Sequence, residues 1–254
     1  MPRNDKKIDA VIFDMDDTLI DWRNQTKHWL EIHEPKVGRA YHYLQSAGHL
    51  VPVSQAEFFQ IFSHHSENSW RTAKDNGWRS PNFLHVMRSA LLQAGVVADE
   101  VDMPALLKAY DWGVVDGVTI FPDTIPVLKE LKQRGYKVGL VTNAYFPMWM
   151  RQPELDYFAF GEYLDEAITS GETGWLKPHP AVFWRMLGLL KTMPERAVFV
   201  GDSPQHDIAG ANDVGMHSVF HFPAGLDRHL DDIRPDHTVE RMTELLPILD
   251  ELEK

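Results

Sequence analysis

Cysteine is absent from this chain of 254 residues, which excludes disulfides, thiolate metal sites and cysteine nucleophiles together. Long apolar runs are missing too. The hydrophobic stretches are only a handful of residues long, far short of the ~20 needed to cross a bilayer, so no membrane span is expected. Basic residues are scarce: 25 Lys and Arg stand against 37 Asp and Glu, a formal charge of −12. Binding a phosphate backbone needs a basic surface, so nucleic acid is disfavoured as a main partner. Long-range attraction of anionic substrates is disfavoured as well. A phosphate would have to be drawn in locally, by a metal, a lysine and backbone N–H groups. The stretch Met1 to Lys7 is polar and lacks the apolar segment of a secretory signal, which makes a cytoplasmic location the expectation. With 44% hydrophobic and 24% charged residues, the chain has the composition of one large globular domain or two unequal ones.

What is present begins with Val11-Ile12-Phe13-Asp14-Met15-Asp16-Asp17-Thr18-Leu19-Ile20, a short apolar run that ends abruptly in acids and a threonine. Such a run suits a buried parallel strand, and chemistry collects at the carboxyl ends of such strands. Acids clustered there repel. Two unit charges ~4 Å apart cost about 4 kcal/mol at an effective dielectric near 20, so a divalent metal or a proton is required. The competing reading is that Asp14, Asp16 and Asp17 cap the next helix or form an Asx turn. These residues alone leave both readings open.

From about Thr26 to Trp112 the pattern is helical, with Trp29, His33 and Val37, and then Phe83, Val86, Leu91 and Leu92, at helical spacing. Polar stretches at Ser63 to Ser69 and Lys74 to Pro81 are expected to break this block into separate helices. Five of the eight tryptophans lie between Trp22 and Trp112, and most are expected to form the core of this helical insert. After Phe121 helices and strands alternate. Asp123 is expected to cap a helix carrying Ile125, Leu128 and Leu131, which Gly135 stops. Strands are expected at Lys137 to Thr142, Ala167 to Thr169, Ala197 to Val200 and Ser218 to His221. Helices are expected near Pro180 to Lys191, Gln205 to Val214 and Met242 to Leu252. A βαβ series implies a mostly parallel sheet, and Asp9 to Asp14 must join it, because one strand alone is not stable. The helical block therefore interrupts a single α/β domain.

Three more strand ends carry polar residues: Val141-Thr142-Asn143-Ala144, Leu176-Lys177-Pro178, and Val200-Gly201-Asp202-Ser203-Pro204-Gln205-His206-Asp207. With the opening run these segments resemble the haloacid dehalogenase superfamily, matching its DxDxT, hydrophobic-TN, Lys-Pro and GDxxxxD motifs in order. The resemblance covers Ile8 to Ile20 and Phe121 to about His221, and the insert only in length and helical character. It implies a Rossmann-like, three-layer α/β core over 1–20 and 117–254, with a smaller all-helical cap at 21–116. Asp14 is then similar to the nucleophile that forms an aspartyl phosphate, and Asp16 to the general acid and base. Mg²⁺ is the implied cofactor, held by the side chains of Asp14 and Asp202 and the main-chain carbonyl of Asp16. Asp207 either orients a ligand or metal water, or serves as the first-turn acid of the following helix. Thr142, Asn143 and Lys177 are implied to hold the phosphoryl group. Asp17 is given no chemistry, and a local turn role suffices for it.

An aspartate at the position of Asp16 favours phosphate chemistry over halide release, which needs no protonated leaving group. The expected activity is a Mg²⁺-dependent phosphomonoesterase acting on a small soluble phosphorylated metabolite. The alternatives are a phosphotransferase of the β-phosphoglucomutase kind and a catalytically silent binding module. Trp70, Arg71, Lys74, Trp78 and Arg79 either face the cleft or divide into packed tryptophans and a solvated basic face, the second reading being favoured. Tyr145, Phe146 and Trp149 either line the cleft mouth or pack as core of the next helix. The 13 histidines show no metal spacing, and His64, His65, His179 and His206 read as surface groups or as supports of ligating side chains.

Overall fold

The computed structural model describes residues 7–254, and Met1 to Lys6, which carry most of the expectation about a secretory signal, lie outside them. The described chain opens on β1 (Ala10–Phe13), all four residues of which are buried, and turns tightly into β2 (Ile20–Asp21). Helices α1 (Trp29–Ser46), α2 (Gln55–Arg71), α3 (Phe83–Gln93) and α4 (Met103–Tyr110) follow. Each starts where a side chain accepts an orphan backbone N–H: His28 from Leu30, Ser54 from Glu57, Asn82 from His85 and Asp102 from Ala105. Strand β3 (Thr119–Ile120) then pairs antiparallel with β2 and closes the helical insert at its base.

Beyond it helix and strand alternate: α5 (Thr124–Gln133), β4 (Lys137–Thr142), α6 (Met148–Tyr157) and β5 (Glu166–Thr169). Next come α7 (Ser170–Thr173), α8 (Pro180–Leu190), β6 (Ala197–Gly201) and α9 (Ala209–Val214). Last are β7 (His217–His221), β8 (His237–Val239) and α10 (Leu245–Leu252).

Six strands form one parallel sheet in the order β5-β4-β1-β6-β7-β8. The pleat sends Val11, Phe13, Val198 and Val200 to one face and Ala10, Ile12, Ala197 and Phe199 to the other. The second face packs on Val182, Phe183 and Met186 of α8 and Ala211 of α9. The first packs on Val127 and Leu131 of α5 and on Leu249 of α10, and its cluster runs on without a break into Phe58, Phe83 and Tyr110 of the insert. The architecture is three-layered α/β, as the sequence patterns imply. The chain steps from β1 through β4 to β5, then returns across β1 to β6, so the strand order reverses beside the carboxyl end of β1. Ligand crevices form at such a switch point.

Two local expectations need correction. Helix α2 runs unbroken through Ser63 to Ser69, because Ser63 and Ser66 turn inward with Phe59 and Phe62 while the other polar residues take the outer face. Asp123 stands at the start of α5, but its carboxylate accepts the Thr243 N–H at 3.1 Å and does not cap that helix. The short strands β2, β3 and β8 have no clear sequence signal, two or three residues being too few to display a period. No helix among the described residues is long and apolar enough to cross a membrane.

Candidate active site

At the carboxyl end of β1, the Asp14 N–H donates to the Val200 carbonyl at 2.9 Å, which locks the first acid between β4 and β6. The chain then reverses, with Asp17 at φ 62° and its carboxylate accepting the Trp22 N–H at 3.0 Å. These acids cap no helix, since α1 begins only at Trp29. Asp17 has the expected turn role. A cavity of about 420 Å³ opens here, lined by Asp14, Asp16, Asp17, Asp202 and Asp207 against Lys177 and Arg228.

Carboxylate oxygens of Asp14, Asp202 and Asp207, all buried, lie within 4.8 Å of one another. Burial, reinforced by Asp207, Asp202 and Asp16, pushes the Asp14 carboxyl well above its usual range despite Lys177. Burial and Asp207 likewise push Asp202 up to about 7, against the pull of Arg228. Hard oxygen donors crowded under excess negative charge fit a hard divalent cation. Asp207 therefore turns into the site. Its carboxylate accepts the Ser203 N–H at 2.9 Å and pairs with Lys177 at 2.7 Å. Glycine at 201 is required for this approach, because a Cβ there would overlap the Asp207 carboxylate.

The Lys177 ammonium bridges Asp14 and Asp207 and donates to the Val141 carbonyl at 3.0 Å. Burial alone would lower its affinity for protons, but the two carboxylates outweigh that and keep it charged. Asn143 fixes this lysine by its backbone, donating to the Lys177 carbonyl at 3.0 Å and accepting the Lys177 N–H at 2.8 Å. These two bonds use the amide oxygen and one amide N–H, and the second amide N–H is a further donor. Thr142 donates its hydroxyl to Asp16 at 3.2 Å.

Asp16 belongs to a separate network. Arg151, from α6, donates to its carboxylate at 2.9 and 3.2 Å, and Trp22 Nε1 donates at 2.8 Å. Burial works to raise the Asp16 carboxyl, but Arg151, Trp22 and Thr142 outweigh it and hold the group below its usual range. Arg151 is itself buried and pairs with the buried Glu154, which accepts Trp112 Nε1 at 2.8 Å. Arg228 pairs with Asp202 at 2.7 Å and with Asp17 at 3.2 Å. Sequence reasoning missed Arg151, Glu154 and Arg228. Only the i,i+3 spacing of Arg151 and Glu154 hints at a pair, and such spacing is equally common on solvated faces.

The tryptophans also depart from expectation. Only Trp112 of the five in this region is fully buried, whereas Trp22, Trp29, Trp70 and Trp112 together line a second cavity of about 350 Å³. That cavity shares Asp16, Asp17 and Asn143 with the first, and Tyr145 and Phe146 form part of its wall. Trp149 is 49% exposed and lines neither. Arg71 and Lys74 are exposed, Arg79 lies 4.1 Å over the Trp175 ring, and Trp78 meets His206 edge-on at 5.5 Å. His206 lines the first cavity, His179 caps α8, and His64 is exposed.

Residues 8–215 match the family model described as haloacid dehalogenase-like hydrolase. The chain is 30% identical over 260 residues to a glyceraldehyde 3-phosphate phosphatase of Methanopyrus kandleri, covering 97% of this chain and 99% of that protein. A phosphatase of Thermococcus onnurineus superposes with a TM-score of 0.60 at 27% identity, over 95% of this chain and 98% of the other. A 2-haloacid dehalogenase of Pseudomonas syringae superposes with a TM-score of 0.63 at 26% identity, over 96% and 99%. The chain belongs to the haloacid dehalogenase-like hydrolase family.

Proposed function

We propose that this chain is a Mg²⁺-dependent phosphomonoesterase acting on a small phosphorylated metabolite through an aspartyl-phosphate intermediate. The observation that carries the reading is the buried Asp14 carboxylate, paired with Lys177 and within 4.8 Å of Asp202 and Asp207, with a second aspartate two residues on. The named relative that hydrolyses a phosphate ester supports the same chemistry. Residues 21–116 serve as a cap over the catalytic core of 1–20 and 117–254.

Asp14 attacks phosphorus, forming an O–P bond as the bond to the leaving oxygen breaks, and Asp16 gives that oxygen its proton. Asp16 then takes a proton from water, whose oxygen displaces the Asp14 carboxylate and releases inorganic phosphate. Arriving phosphate charge opposes the pull of Arg151 and raises the Asp16 carboxyl toward protonation. Lys177, the Thr142 hydroxyl and backbone N–H groups after β4 hold the phosphoryl oxygens. Asp14, Asp202 and the Asp16 carbonyl would hold Mg²⁺, which when bound neutralises phosphoryl charge. Asp207 positions Lys177 and the Ser203 backbone beside them. An aspartate at position 16 has no task in halide release, which weighs for this reading over the dehalogenase chemistry named for the Pseudomonas syringae neighbour.

The test is phosphate release from a panel of esters. Release in step with the free alcohol, lost on adding EDTA and lost in Asp14→Asn, is the expected result. Full turnover by Asp14→Asn overturns the reading, and so does phosphoryl transfer to a second alcohol without free phosphate.

A further inference from the structure

The cavity beside the phosphate site has unusual walls for an enzyme of small polar sugar phosphates. Trp22, Trp29, Trp70, Trp112, Tyr145 and Phe146 surround about 350 Å³ of space that meets the first cavity at Asp16, Asp17 and Asn143. A leaving group whose phosphorus sits at Asp14 has this room to enter. We infer, resting on the phosphatase reading above, that the preferred substrates are monophosphate esters of uncharged alcohols bearing an aromatic or comparably flat apolar ring.

Several observations converge on that chemistry. Two of the four indole N–H groups are already engaged, Trp22 Nε1 on Asp16 at 2.8 Å and Trp112 Nε1 on Glu154 at 2.8 Å. Most of the lining residues are aromatic, which rewards apolar and aromatic contact. A sugar chain would bring more hydroxyls than a mostly aromatic wall can pair, a cost that discriminates against it. The walls offer no unpaired cation for a second phosphate or a carboxylate, because Arg151, the one basic residue lining this cavity, is committed to Asp16 and Glu154.

An aromatic wall also suits quaternary ammonium ligands. Two features oppose that here. Lys36 Nζ already lies 5.1 Å from the Trp112 ring, and Arg151 stands in the wall, so a further cation would meet both. The rings also pack on one another, Trp112 against Phe146 at 4.4 Å and Trp70 against Tyr145 at 5.7 Å, forming a continuous surface. The cavity's volume of about 350 Å³ also exceeds what a trimethylammonium head would fill.

Three esters of unactivated alcohols test the inference, the first having the poorest leaving group: 2-phenylethyl phosphate, glycerol 3-phosphate and phosphocholine. The expected kcat/KM for the phenylethyl ester is higher than for either other ester by about tenfold or more, the worth of a ring stacked in an aromatic pocket. In Trp70→Ala and Trp70→Leu that ratio falls toward one. A ratio between esters measured on one preparation is insensitive to any fraction of a variant that misfolds. Glycerol 3-phosphate or phosphocholine used as well as the phenylethyl ester overturns the inference while leaving the phosphatase reading intact, as does a ratio unmoved in both variants. Absence of phosphate release from all three and from the wider ester panel overturns both.

Discussion

Arg151 carries the heaviest electrostatic duty of any residue outside the four motif segments. It is buried between Asp16 and Glu154, and Glu154 is buried with it. Removing one partner of a buried pair strands the other charge, at a cost of about 3–5 kcal/mol, so Arg151→Met should be strongly destabilised in denaturant unfolding. Arg151→Met/Glu154→Gln should recover part of that loss, since the amide oxygen still accepts Trp112 Nε1 and the carboxylate left without Arg151, that of Asp16, is one-third exposed. Equal stability of the single and double variants would contradict the ion-pair account. The motif acids were legible because their spacing is local: a strand, then carboxylates at fixed offsets. Arg151 was not, because its contact with Asp16 spans 135 positions of sequence, and a lone arginine on a helix carries no mark of which way it faces. Arg228 was hidden in the same way, in a loop of no regular pattern whose partners are Asp17 and Asp202.

Among the elements, the sheet followed directly from buried runs such as AVIF and KVGLVT, where nearly every residue is enclosed on both faces. The insert was legible as helical, with the break at Lys74 to Pro81 present and His33, Val37, Phe83, Val86 and Leu91 buried, but the break at Ser63 to Ser69 is absent and Leu92 is exposed. Polar Ser63 and Ser66 on α2 and His33 on α1 are buried, contrary to their composition, because neighbouring helices and the loop after β4 cover them. His33 contacts the Tyr110 hydroxyl through Nδ1 and leaves Nε2 without a partner. Burial, with Lys36 nearby, lowers its pKa to about 3. Unfolded histidine titrates near 6.5, so the unfolded chain binds the extra proton first, and stability is present above that value and lost as pH falls below it. The loss from His33 between pH 7 and pH 5 is about 2 kcal/mol. His221, lowered to about 4, acts in the same direction. Asp14 and Asp202, whose carboxyls are raised, act in the opposite direction, so His33 is read by difference: on going from pH 7 to pH 5 the thermal midpoint of His33→Phe/Tyr110→Phe should shift upward relative to the parent's, with no orphaned hydroxyl left. No relative shift in that double variant would exclude His33 as a source of the loss.

For the whole molecule, one apolar cluster joins the insert to the sheet, while the acids gather at the switch point between β1 and β6. A chain with a formal charge of −12 has no long-range field to draw in a phosphate. Recognition is then local, and on the reading proposed above the polar cavity holds the phosphoryl group and the aromatic cavity receives the alcohol. The first is readable from motif order and the second only in part: Trp70, Tyr145 and Phe146 are open candidates for the cleft, whereas Trp22, Trp29 and Trp112 come from distant positions and look like ordinary core. The two cavities meet at Asp16, Asp17 and Asn143. The central claim is that the phosphoryl group passes through Asp14, and acid quenching during turnover with Mg²⁺ tests it most directly. Peptide mapping by mass spectrometry should find phosphate on the segment containing Asp14, and none in Asp14→Asn. Steady phosphate release with that segment unmodified, or with the label on another residue, would contradict it.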